Sequence, residues 1–165
     1  QPLSVSDLML ALDLSAARRS GWVAIGASFG FALVAVTALL TLGPWVVGLY
    51  STEPEVVAVA TGLLLIVAVY QIFDDVQVIA MGALRGYKDT TVPFLIAVVC
   101  YWLISLPVAL VFGYGVFDGL QLGVSGYWIG LACGLICAAL ILVTRFNRVS
   151  KQYAQAAKGE QVPVV

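Results

Sequence analysis

The sequence predicts an all-α fold: a polytopic helical membrane protein with four transmembrane helices. Three observations predict it. Hydrophobic residues make up 62% of the 165 and charged residues 10%, against roughly 45–50% and about 25% in soluble domains, and mean hydropathy is +1.04. Such a chain cannot clothe itself in polar surface, so lipid must be the solvent for much of it. The apolar residues are gathered into four runs, at about 21–50, 56–84, 92–113 and 124–144, and each reaches the ~20 residues that a helix needs to cross a hydrocarbon core of ~30 Å. The runs are continuous, whereas barrel strands alternate over segments of ~10 residues, which excludes a membrane barrel.

Taken in order, residues 1–19 form a cytoplasmic or interfacial N-terminal segment. It has no basic n-region, and Asp7 and Asp13 interrupt it, so it is not a secretory signal. A polytopic chain beginning at Gln1 without an initiator Met suggests a piece of something longer. The first span carries Gly26 and Gly30, and the fourth carries Gly126, Gly130 and Gly134 at the same four-residue spacing. Such faces let helix backbones approach closely in lipid, and bundle packing is the expected use. Pro107 falls inside the third span, where it should kink the helix or free a backbone carbonyl. The four spans constitute a transmembrane bundle over 20–145, and residues 146–165 form a polar cytoplasmic tail.

The charges orient the bundle. Arg18 and Arg19 precede the first span, Arg85 and Lys88 lie between the second and third, and Arg145, Arg148, Lys151 and Lys158 follow the fourth. All eight basic residues therefore share one side of a four-span model, while Glu53, Glu55 and Asp118 occupy the other. The positive-inside rule makes the basic side, with both termini, cytoplasmic, which in a bacterium means the inner membrane. A net charge of −1 without a basic cluster argues against nucleic acid as a partner. Histidine is absent, and Cys100, Cys133 and Cys137 lie in apolar stretches without metal-ligand spacing. The GYGVFDG stretch near Gly113 does not match GxGxxG.

The second span differs from the others in holding Tyr70, Gln71, Asp74, Asp75 and Gln77. Asp74 lies eleven residues before Arg85, about 16 Å along a helix at 1.5 Å per residue, hence near mid-membrane. A carboxylate at that depth costs several kcal/mol unless it is protonated, paired or coordinating an ion. Tyr70, Asp74 and Gln77 share one face at helical spacing and present hard oxygen atoms, which suit Na⁺ or a proton. Asp75 is turned by about 100° and faces with Gln71. A salt pair with a helix outside this chain would explain the same residues.

The run Tyr70-Gln71-Ile72-Phe73-Asp74, then Gln77-Val78-Ile79, then Gly82 to Thr90 with its LRGYKDT loop, resembles the tenth helix and following loop of multidrug and toxic compound extrusion (MATE) transporters of the NorM branch. Tyr101-Trp102, Leu106-Pro107 and Gly126-Tyr127-Trp128-Ile129-Gly130 are similar to that branch's last two helices. The resemblance runs from about Ala16 to Arg148 and implies the last four of twelve helices arranged in two lobes. It implies export of cationic, amphipathic compounds in exchange for Na⁺ or H⁺, with no other cofactor. It also implies a cation site at Asp74 and Tyr70, with both as metal ligands if the ion is sodium, and with Asp75, Gln71 and Gln77 as a secondary polar stripe. The loop residues Arg85, Gly86, Lys88 and Asp89 belong to the family motif. The family's site also uses a glutamate on the seventh helix, so the missing N-terminal helices become a partner alongside the lipid bilayer and the cationic substrates. Residues Gln1 to Leu14 depart from the family pattern, and Asp75 is an extra acid.

Three other readings compete. A self-contained four-helix proton-coupled exporter acting as an oligomer fits one buried acid, although such exporters carry theirs in the first helix. An intramembrane aspartyl protease needs two carboxyls that meet across helices; Asp74 and Asp75 diverge on one helix, and Gly86 to Asp89 gives GxxD, so no enzyme is expected. A pure packing module would not need the acidic stripe.

Overall fold

The computed structural model describes residues 5–115 and 122–156, with only the backbone given for residues 5–8 and 10–12. Asp118 and Lys158, with the end of the expected tail, lie outside these residues. The described chain is helical and contains no strand: α1 (Val5–Tyr50), α2 (Pro54–Gly86), α3 (Thr91–Val99), a π-helical turn (Cys100–Ser105), α4 (Leu106–Tyr114) and α5 (Val124–Ala156). Four rods are long and apolar enough to cross a membrane, with α3, the π turn and α4 together forming the third. Large apolar side chains face outward along their length, including Phe31, Trp102 and Leu103. In water these would be a liability; in lipid they are the solvated surface.

Two boundaries differ from the sequence expectation. Helix α1 begins at Val5 and runs unbroken into the first span, because nothing between Asp13 and Gly21 breaks a helix. Helix α5 continues past Thr144 to Ala156. Its extra turns pack against the bundle, and Phe146 and Ser150 are fully buried. Phe146 packs edge-on against Trp22 of α1 at 5.6 Å and against Tyr87 at 6.1 Å. Gly21 permits this, because any side chain there would strike the Phe146 ring.

Helix α5 is the spine of the bundle. It carries ten buried residues and packs against α2 on one side and against the π turn and α4 on another. The glycine face explains the second contact. A Cβ at Gly126 would collide with the backbone of Phe112, one at Gly130 with Ala109, and one at Gly134 with Ser105 and the Cys100 carbonyl. All three glycines are therefore spent on close approach to the third rod. Gly26 and Gly30 have nothing within 4 Å, so the matching pattern in α1 makes no close contact in this chain.

The three basic segments meet at one end of the bundle. Arg18 Nη2 donates to Asn147 Oδ1 at 3.3 Å, Arg145 Nε pairs with Asp89 Oδ2 at 2.6 Å, and the Tyr153 hydroxyl donates to the Tyr87 carbonyl at 3.4 Å.

Candidate cation site in the second helix

Helix α2 is 33 residues long, about 50 Å at 1.5 Å per residue, and its polar residues interrupt an apolar rod well away from either end. Tyr70, Gln71, Asp74 and Asp75 are partly buried and Gln77 is buried. Their spacing sorts them onto two faces. Gln71 Nε2 donates to Asp75 Oδ1 at 3.1 Å, an i,i+4 pair on one face. Asp75 Oδ2 is buried with no hydrogen-bond partner among the described residues.

The other face looks across the bundle. The ring of Tyr70 meets Trp128 of α5 edge-on, with centroids 6.0 Å apart and planes at 87°. The Tyr101 hydroxyl, from the π turn, donates to Gln77 Oε1 at 3.4 Å. Asp74 follows Tyr70 by four residues on the same helix and directly precedes Asp75. Among the described residues no donor and no cation pairs with it. Of the expected stripe of Tyr70, Asp74 and Gln77, Gln77 has its side-chain carbonyl engaged by Tyr101.

Metal chemistry of the usual buried-cluster kind is not built here: no group of three or more His, Cys, Asp or Glu side chains converges among the described residues. What the face offers is one carboxylate and phenolic oxygens. That donor set fits a hard monovalent cation or a proton rather than a soft transition metal. Asp74 and Tyr70 are the groups that would hold it.

The family loop acts structurally. The Lys88 N–H donates to the Arg85 carbonyl at 2.9 Å and the Asp89 N–H to the Leu84 carbonyl at 3.1 Å, the pair of bonds of a Schellman cap. Lys88 occupies the left-handed position of that cap, at φ 60°, where glycine is usual. The cap reverses the chain and presents Asp89 to Arg145. Tyr87 packs beneath it, and burial pushes its phenol above the ordinary range, partly countered by Arg18.

Residues 11–111 match the family model named MatE, which is more than half of the chain. The chain belongs to the MatE family. It is similar to proteins named multidrug resistance protein MdtK from Yersinia pestis (strain Pestoides F) and Yersinia pseudotuberculosis (serotype O:1b, strain IP 31758). It is 42% identical to each over 125 residues, covering 74% of this chain and 27% of the relative. The chain therefore spans about a quarter of the length of these MatE relatives.

Within the MatE chain, sequence reasoning found the acidic face but missed three cross-helix partners: Tyr101 and Trp128 at the site, and Arg145 opposite Asp89. The YW pairs at 101–102 and 127–128 were visible as aromatic residues in apolar spans. Only the packing of α5 against both α2 and the third rod brings Trp128 to Tyr70 and Tyr101 to Gln77.

Proposed function

We propose that this chain is part of a cation-coupled multidrug antiporter of the NorM branch, exporting cationic amphipathic compounds across a cell inner membrane in exchange for Na⁺ or H⁺. The observation that carries this reading is Asp74. It is an ionisable residue far from both ends of a membrane-spanning helix, it has no pairing partner among the described residues, and it stands beside Tyr70. Intramembrane acids of this kind mark ion pathways, and transporter ion sites occur near the bilayer midplane. The MatE membership and the name borne by the MdtK relatives supply the multidrug class.

In this reading Asp74 holds the cation by charge and Tyr70 by its oxygen, and the coupling ion supplies the positive charge that neutralises the carboxylate. Neutralisation lowers the cost of keeping the site in a low-dielectric environment. Release on the other side restores that cost, and the change biases a rocking movement between outward and inward states. Asp75, satisfied on one oxygen by Gln71, has a secondary role.

The test is cation-driven efflux by a transporter of family length carrying this sequence, at matched expression. Asp74→Asn keeps size and hydrogen-bonding capacity but loses charge, and should abolish the response to a cation gradient. Tyr70→Phe should weaken it, and Asp75→Asn should be milder than Asp74→Asn. Wild-type coupling in Asp74→Asn together with a dead Asp75→Asn would reverse the assignment of faces.

A further inference from the structure

Helices α3 and α5 leave a groove between them at the basic end of the bundle. Its outer part is a cavity of about 460 Å³, with Thr144, Arg145, Arg148 and Gln152 of α5 among its walls beside Ile96 and Ile141. Ile96 and Ile141 also line its inner part, an apolar cavity of about 200 Å³ that continues to Leu95, Val99 and Cys100. The groove is therefore graded, polar at one end and wholly apolar at the other. Cys100 lies nine residues beyond Thr91, where α3 begins, which is about 14 Å along the axis at 1.5 Å per residue. That is close to half of a ~30 Å hydrocarbon core, the share of one leaflet. Leu95, Val99 and Ile141 are exposed, so the groove is open to the bilayer from the side.

The polar end carries charge that suits an anion. The Asp89 carboxylate accepts from Arg145 Nε at 2.6 Å, and this bond ties the guanidinium down by one nitrogen. Its two Nη groups, with four N–H donors, have no acceptor among the described residues. Arg148, three residues further on α5, is exposed and has no ion-pair partner among the described residues. No Asp or Glu lines the cavity. Two arginines against one aspartate leave this end with a net charge of +1. The planar fork of arginine matches phosphate oxygens, and basic pockets between membrane helices bind anionic headgroups. The same charge disfavours a cationic compound.

We propose that the α3–α5 groove binds one anionic phospholipid of the leaflet at the basic end, with its phosphodiester held by Arg145 and Arg148 and an acyl chain laid along Ile96, Ile141, Leu95 and Val99. Asp89 is a positioning residue for this site, because it engages Arg145 Nε and leaves the Nη groups for the phosphate. A headgroup with one uncompensated negative charge, as in phosphatidylglycerol, balances the +1 of the site. The choline of phosphatidylcholine would bring a cation back beside Arg148. Burial of the chain in the apolar part adds what a soluble phosphate compound lacks.

The experiment titrates purified, delipidated transporter of family length carrying this sequence, in neutral detergent, with dioleoylphosphatidylglycerol, and counts bound lipid by native mass spectrometry. Wild type should bind a first molecule saturably, and dioleoylphosphatidylcholine about tenfold more weakly. Arg148→Gln removes a charge-assisted contact and should weaken phosphatidylglycerol binding about tenfold. Arg85→Gln removes the same charge from the same end of the bundle but outside the groove, and should leave binding unchanged. Val99→Trp fills the apolar part and should also weaken binding, whereas soluble glycerol 3-phosphate should not compete. All three side chains are exposed, so melting temperatures should stay at the wild-type value. Equal losses in Arg148→Gln and Arg85→Gln mean diffuse attraction to the basic end and overturn the proposal, as does equal affinity for the two lipids or no saturable binding by wild type. Unchanged binding in Val99→Trp, or competition by glycerol 3-phosphate, means a phosphate contact without a seated chain and overturns the lipid assignment.

Discussion

Arg85 and Asp89 stand four residues apart in one polar turn, yet they are tied to the molecule very differently. Asp89 is 14% exposed and bonded to Arg145 across 56 residues of sequence. Arg85 is exposed, and its polar contact is the Met81 sulfur at 3.8 Å. An exposed ion pair contributes about 0.2–1 kcal/mol, and breaking a fully buried one costs about 3–5 kcal/mol. Asp89→Asn, which sits between these limits, should lower stability by roughly 1–2 kcal/mol. Arg85→Gln should fall within about 0.5 kcal/mol of wild type, as surface changes do. Denaturation midpoints in detergent would measure both, and equal losses would contradict the assignment. The charges of this loop were legible in the sequence, but the partner of Asp89 was not, since nothing in local spacing links residue 89 to residue 145. The Gln71–Asp75 pair, by contrast, follows from helical spacing alone.

The glycine faces show the same division at the level of whole helices. Residues 26 and 30 carry the same spacing signal as residues 126, 130 and 134, but only the second set meets another backbone. Gly130→Ala drives a methyl group into Ala109, and over-packing of this kind costs about 1–3 kcal/mol. Gly26→Ala meets nothing, and in a helix interior it should gain up to about 1 kcal/mol from backbone propensity. Thermal melts of the two variants in the same detergent should therefore move in opposite directions; a matching loss in both would contradict the packing described for α5. The four rods were legible because length and hydropathy are properties of a segment by itself. Pro107 announced a departure from regular helix, but whether it would be a kink or a wider turn depends on Gly134, Ser105 and Cys100 packing against one another. The site followed the same rule: the acidic face of α2 could be read from one helix, and Tyr101 and Trp128 could not.

For the molecule as a whole, gathering Arg18, Arg85, Lys88, Arg145 and Arg148 at one end, away from Glu53 and Glu55 at the α1–α2 turn, predicts one orientation in the membrane. With Cys100, Cys133 and Cys137 replaced, a cysteine at Ser51 should react with an impermeant thiol reagent added outside cells, and one at Gln152 only after the membrane is opened. The reverse pattern would invert the bundle and place the basic end outside. The central claim concerns Asp74, and binding tests it more directly than transport does, because binding needs no substrate and no conformational cycle. The measurement is equilibrium binding of Na⁺, with proton uptake followed in parallel, by purified transporter of family length carrying this sequence. The account predicts saturable binding of one or other ion by wild type and by Asp75→Asn, and none by Asp74→Asn; binding by Asp74→Asn at wild-type affinity would contradict it.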